Sequence, residues 1–118
     1  MIPLWKDRDV RPAMKPRYVY FFTCAPRAHK GPYLHKKRRG LLFLLEGKLI
    51  FVYMTGKKFK EIKLDAREGA VMLDIPRGTG YLIKNPYRRE ARCINICDYP
   101  WKPNEHETIT PDFTSYRT

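Results

Sequence analysis

Acidic residues are scarce in this chain: 12 Asp and Glu stand against 24 Lys and Arg in 118 residues, a formal net charge of +12. Such an imbalance points to a partner carrying negative charge. Cysteine is scarce too. Cys24, Cys93 and Cys97 make an odd set with no Cys-x-x-Cys spacing, which excludes a disulfide framework and a zinc ribbon and leaves buried thiols as the expectation. Long apolar runs are missing, so no segment approaches the roughly 18 residues needed to cross a bilayer. The start, Met1 to Arg11, carries charges where a signal peptide needs an apolar stretch, so the chain is expected to be cytoplasmic. The length leaves no room for two domains. Low-complexity segments and internal repeats are also lacking. What is abundant is core-forming material: 43% hydrophobic and 14% aromatic residues exclude a disordered basic tail.

Turn signals recur at short intervals between runs of β-branched, aromatic and leucine residues, the pattern of an all-β chain. The predicted strands are Arg17 to Cys24, Leu41 to Leu45, Lys48 to Thr55, Lys58 to Leu64, Val71 to Ile75, Tyr81 to Lys84 and Ala91 to Cys97. Glu46-Gly47-Lys48 and Thr55-Gly56-Lys57 join neighbouring runs so tightly that antiparallel hairpins, and hence a meander, are expected. Leu41 to Leu45 is apolar at every position, so both of its faces should be covered, one by the core and one by a second subunit of a homodimer. The ends, Met1 to Pro16 and Pro100 to Thr118, read as extended arms packed on a barrel core of about residues 17–99, the whole forming one domain over 1–118.

The glycine-punctuated runs enclose two motifs. The first is Gly31, Tyr33-x-His35, Gly40 and Gly47; the second is Gly69, Pro76-x-Gly78, Tyr81 and Asn85. Together they resemble the two-part cupin signature, with Tyr33, Gly40 and Tyr81 in three of the four metal-ligand slots and only His35 retained. The resemblance implies a double-stranded β-helix, or jelly-roll barrel. A single imidazole cannot hold a divalent ion at useful affinity, so neither metal nor cofactor is expected. Within the cupins, Gly31-Pro32-Tyr33-Leu34-His35-Lys36 is similar to the Gly-Phe-His-Ala-His-Lys motif of the nucleotide-sugar 3,4-ketoisomerases. Cys97-Asp98-Tyr99-Pro100-Trp101-Lys102-Pro103 resembles their closing segment, which the dTDP-4-dehydrorhamnose 3,5-epimerases share. Tyr33 and His35 fall on the histidine pair of the ketoisomerases. The aspartate that partners the epimerases' base has no counterpart placed in this sequence.

What the resemblance implies is chemistry on a nucleoside-diphosphate 4-keto-6-deoxy sugar: a proton leaves the carbon next to the carbonyl and returns to another face or atom. A base, an acid and an enolate stabiliser are needed. His35 is the expected base, since a neutral imidazole titrates near working pH. Tyr81 or Tyr33 is the expected acid, and Lys37 or Lys48 the cation that stabilises the oxyanion. Strand alternation would place Tyr33, His35 and Lys37 on one face. The diphosphate would be held by basic residues at the mouth, with Arg38, Arg39, Lys48, Arg77 and Arg92 as the substrate-binding set and Tyr99 stacking on the base.

The plainer readings stand beside these. His35 could be satisfied by a backbone carbonyl, the two tyrosines could be packing residues, and Lys36 to Arg39 could be a solvated charged loop. His29 and His106, among charged or proline-rich neighbours, are given no role. Two rival functions remain open from sequence: a non-catalytic cupin that holds a sugar or small anion, and, less favoured, a basic barrel that stacks nucleic-acid bases on tyrosines.

Overall fold

Segments that alternate core-facing and outward residues between glycine turns become strands when a second apolar sheet is available to cover them. The computed structural model describes residues 15–69, 71–100, 102–103 and 106–116. Among these, nine strands follow in order: β1 (Tyr18–Cys24), β2 (His29–His35), β3 (Gly40–Glu46), β4 (Lys48–Thr55), β5 (Lys58–Asp65), β6 (Val71–Ile75), β7 (Gly80–Lys84), β8 (Ala91–Cys97) and β9 (Thr108–Ile109). The only helical element among them is a 3-10 turn, Ala66–Glu68.

The strands form two antiparallel sheets, β1-β8-β3-β6 and β5-β4-β7-β2-β9. Their inner faces meet in one core. Leu42, Leu44 and Cys93 from the first sheet pack with Leu49, Phe51, Tyr81 and Ile83 from the second. This is the jelly-roll solution to the edge problem, two short-stranded sheets that share their apolar faces. No described helix is long and apolar enough to cross a membrane.

The expected meander is corrected. Thr55-Gly56-Lys57 does close a hairpin, since β4 and β5 pair from Lys48↔Asp65 to Thr55↔Lys58. Gly47, however, does not: β3 pairs with β6 and β8, while β4 pairs with β5 and β7. The chain turns a corner there from one sheet to the other. Gly47 takes φ +91, and a Cβ would lie 2.9 Å from the Glu90 carbonyl oxygen, so the corner needs a residue without a side chain.

Both faces of β3 are covered within the chain itself, where a second subunit was expected on one of them. Leu42 and Leu44 join the inner core, while Leu41 and Phe43 pack with Ile94 and Ile96 on the outer side. The outer face of sheet β1-β8-β3-β6 carries an apolar row in register, Phe21–Ile94–Phe43–Met72, whose ends are open: Phe21 is 58% and Met72 45% exposed. The C-terminal arm covers the other outer face, where Phe113 and Tyr116 pack on Ile50, Val52, Leu82 and Phe59. All but the last two residues of the expected N-terminal arm, and Trp101 of the closing segment, lie outside the described residues.

All three cysteines are free and buried. Burial pushes the Cys93 thiol up to about 12 and Cys97 up to about 11, so both are inert packing groups.

Candidate active site

The second strand makes the site. An extra residue bulges out of β2 between Lys30 and Tyr33, where the pairing with β7 shifts register from Lys30↔Ile83 to Tyr33↔Tyr81. A one-residue bulge exchanges the faces on either side of it. Lys30, Tyr33 and His35 therefore all look into the barrel, although plain alternation would put Gly31 there instead. They line a cavity of about 210 Å³ with Tyr20, Arg38 and Tyr81.

His35 is buried, and each ring nitrogen is engaged. Nδ1 lies 2.8 Å from Thr108 Oγ1 and 3.3 Å from Glu107 Oε1; Nε2 lies 3.0 Å from the Tyr81 hydroxyl and 3.0 Å from Arg38 Nη2. A guanidinium can only donate. The tautomer compatible with it has a bare Nε2 and its proton on Nδ1, directed at Thr108 and Glu107. Burial, aided by the Arg38 charge, holds the imidazole down to about 4, against the raising effect of Glu107. It is neutral at pH 7. Burial drives the Tyr81 hydroxyl well above the usual phenol range, so it keeps its proton and donates to Nε2. Tyr33 stacks on the imidazole with ring centroids 5.9 Å apart, a supporting wall.

Glu107 is the residue that sequence reasoning missed. Strand β9 pairs Thr108 with His35, and the Lys36 amide donates to the Glu107 carbonyl at 2.8 Å. The carboxylate thus sits under the imidazole while also pairing with Arg38 Nε at 3.2 Å, a contact of charge that is poorly directed as a hydrogen bond. It gives His35 a carboxylate neighbour where the sequence had placed none. No local pattern could have shown it, because 72 positions separate it from His35.

The remaining expectations divide. Arg38 belongs to the cavity and not to an outer phosphate clamp. Lys37 is corrected: β2 ends at His35, so alternation does not carry on to it. Its ammonium lies 5.7 Å from the Tyr99 ring centre instead of beside Tyr81. Lys30, on the cavity wall above Phe22, supplies a cation that the sequence reading overlooked. Arg39 grips Asp74 through two hydrogen bonds of 2.9 and 2.7 Å. Arg77 pairs with Asp98 and donates to the Lys37 carbonyl. Tyr99 lies between the ammonium groups of Lys37 and Lys102. Arg39 lies on the β2–β3 connection, Arg77 on the β6–β7 connection and Tyr99 just after β8. Lys48 and Arg92 lie apart from His35: they line a different cavity, beside Arg67 and Arg88.

The donor set does not suit the divalent ion that many cupins carry. Both nitrogens of His35 are occupied, and a guanidinium stands 3.0 Å from Nε2, where it repels a cation. The carboxylate slot holds Gly40, and a Cβ there would press to 3.0 Å against Asn95 Oδ1. Among the described residues no group of three His, Cys, Asp or Glu could hold a metal.

Two antiparallel sheets rolled around a neutral, buried imidazole define a cupin-type barrel. The whole chain, residues 1–118, matches the family model described as FdtA: WxcM-like, C-terminal, and the chain belongs to that family. No curated protein matches it. Among solved structures it is similar to a dTDP sugar isomerase from Desulfovibrio desulfuricans G20 (TM-score 0.76, 19% identity, 95% of this chain and 72% of that one). It also resembles QdtA, a sugar 3,4-ketoisomerase from Thermoanaerobacterium thermosaccharolyticum solved with TDP (TM-score 0.72, 18% identity, 91% and 74%). A third likeness is to the capsular polysaccharide assembling protein CapF from Staphylococcus aureus (TM-score 0.73, 19% identity). The match covers 83% of this chain but only 29% of CapF. At these identities the likeness establishes the fold.

Proposed function

We propose that the His35 cavity binds the sugar ring of a nucleoside-diphosphate 4-keto-6-deoxy sugar and moves a proton next to its carbonyl, as a ketoisomerase or epimerase that uses no metal. The observation that carries this reading is the neutral imidazole, its unprotonated Nε2 facing the cavity between a protonated phenol and a guanidinium. As Arg38 turns from Nε2 to the substrate oxygen, His35 Nε2 takes the proton from the carbon beside the carbonyl. Arg38 and Lys30 stabilise the enolate oxygen that forms. Tyr81 returns a proton, and Glu107 stabilises the imidazolium while it lasts. A cavity of about 210 Å³ is below the roughly 300 Å³ at which drug-sized ligand pockets begin, so the sugar enters and the nucleotide lies across the mouth. The names of the dTDP-sugar isomerase and of QdtA support the substrate class.

The test is incubation with a dTDP-4-keto-6-deoxy sugar in heavy water, followed by NMR of the sugar. Deuterium at carbon 3 with movement of the carbonyl identifies a ketoisomerase, and deuterium with inverted configuration an epimerase. Binding without any exchange would leave a non-catalytic cupin and defeat the proposal.

The chain is further read as a homodimer that buries the apolar row of Phe21 and Met72. A residue such as Phe21→Asp in that row should convert a dimer to a monomer in light scattering; a monomeric wild type would remove this part of the reading.

A further inference from the structure

A second cavity, of about 580 Å³, shares no lining residue with the one around His35. It lies between the β3–β4 corner, the end of β5 and the β7–β8 connection, residues 85–90. Its walls carry five cations and three carboxylates.

The connection that shapes it is built, not slack. Asn85 is buried at 1% exposure and uses its whole amide: Nδ2 donates to the carbonyls of Cys24 at 3.0 Å and Arg89 at 2.7 Å, while Oδ1 accepts from the Tyr87 amide at 3.0 Å. Burying an amide is tolerated only when it is satisfied in this way, and the result fixes the path of Arg88 and Arg89. From the other side, the Gly47 corner passes so close to the Glu90 carbonyl that a Cβ there would lie 2.9 Å from it.

The carboxylates are already engaged. Asp65 is held by Arg67 through side-chain hydrogen bonds of 2.9 to 3.3 Å. Glu46 and Glu90 flank Arg92 at 3.6 and 3.8 Å. Lys48, opposite Asp65 in the β4–β5 pairing, lies over the Tyr87 ring, 5.4 Å from its centre. Among the described residues, neither Arg88 nor Arg89 pairs with a carboxylate. Five cations against three carboxylates leave the cavity two positive charges in excess, and the two guanidiniums without a carboxylate, on a pinned frame, can engage phosphate oxygens through paired N–H donors.

We infer that this cavity is an anion site for a diphosphate group, bound by Arg88, Arg89 and Lys48, and separate from the sugar cavity. Two linked phosphates suit it better than one, because two guanidiniums without a carboxylate line the same cavity and each can take one phosphate.

The test is calorimetric titration of the full chain with inorganic pyrophosphate and, separately, with orthophosphate at one low ionic strength. Pyrophosphate should bind one per chain, at least tenfold more tightly than orthophosphate. The exposed pair Arg88→Ala/Arg89→Ala should weaken it by about tenfold or more, the loss expected for removing charge-assisted hydrogen bonds. Lys60→Ala/Lys63→Ala, which removes two exposed charges from β5, should change it less than twofold. Absence of pyrophosphate binding, equal affinity for the two anions, or equal weakening by both pairs would overturn the assignment. In the last case the +12 charge acts as a diffuse field. Matching thermal melts for both variants separate loss of the site from loss of the fold.

Discussion

Burying a neutral imidazole makes the fold sensitive to acid in a defined window. In the unfolded chain His35 titrates near the ordinary value of 6.5, and in the fold at about 4. Between those values the unfolded chain holds a proton that the folded chain refuses, so acid favours unfolding. The stability that His35 supports is fully present above pH 6.5, is lost as the pH falls toward 4, and is gone below it. At about 1.4 kcal/mol per pH unit, that gap corresponds to about 3 kcal/mol. Urea unfolding at steps from pH 7.5 to 4 would measure it in the wild type and in His35→Gln, which cannot titrate. The wild-type curve should fall more steeply by about that amount. In parallel, the NMR shifts of the His35 ring should stay those of a neutral imidazole down to about pH 5. Parallel stability curves, or a His35 midpoint at 6.5 or above, would refute the claim that burial and Arg38 hold this ring uncharged.

Other perturbations separate the roles assigned around the cavity. Tyr81→Phe should keep the fold and reduce product formation by 10²-fold or more, the usual contribution of a positioned proton donor; an unchanged turnover rate would exclude it as the acid. Glu107→Gln removes the negative charge that raises the His35 midpoint, so NMR titration should show that midpoint moving further down, and a rise would contradict the geometry. Lys48→Ala and Arg92→Ala, which line the other cavity, should leave isotope exchange on the sugar within about twofold of wild type, since neither contacts a reacting group.

The positions of β1 and of β3 to β8 were legible because their turns and alternation are local properties. The corner at Gly47, strand β2 with its bulge, and β9 were not. The corner at Gly47 has the same short glycine spacing as the true hairpin at Gly56, and spacing alone does not report which sheet the next strand joins. The bulge in β2 was hidden for a related reason: Gly31 and Pro32 interrupt the run, and one inserted residue moved Lys30 into the cavity while the end of the strand at His35 took Lys37 out of it. His35, Tyr33 and Tyr81 came from motif positions that the barrel brings together, with 5.7 Å between the tyrosine ring centres. Glu107 came from none. It reaches the imidazole through a two-residue strand, Thr108–Ile109, too short to leave a pattern. The arm that follows is tied down by Phe113 and Tyr116 against Phe59, at 4.8 and 5.4 Å between ring centres.

The most direct measurement of the central claim is the rate at which solvent deuterium enters the carbon next to the carbonyl of a dTDP-4-keto-6-deoxy sugar, compared between wild type and His35→Asn. The account predicts ready exchange with the wild type and a loss of 10²- to 10⁴-fold in the variant, with sugar binding retained. Exchange that persists undiminished without the imidazole would contradict it.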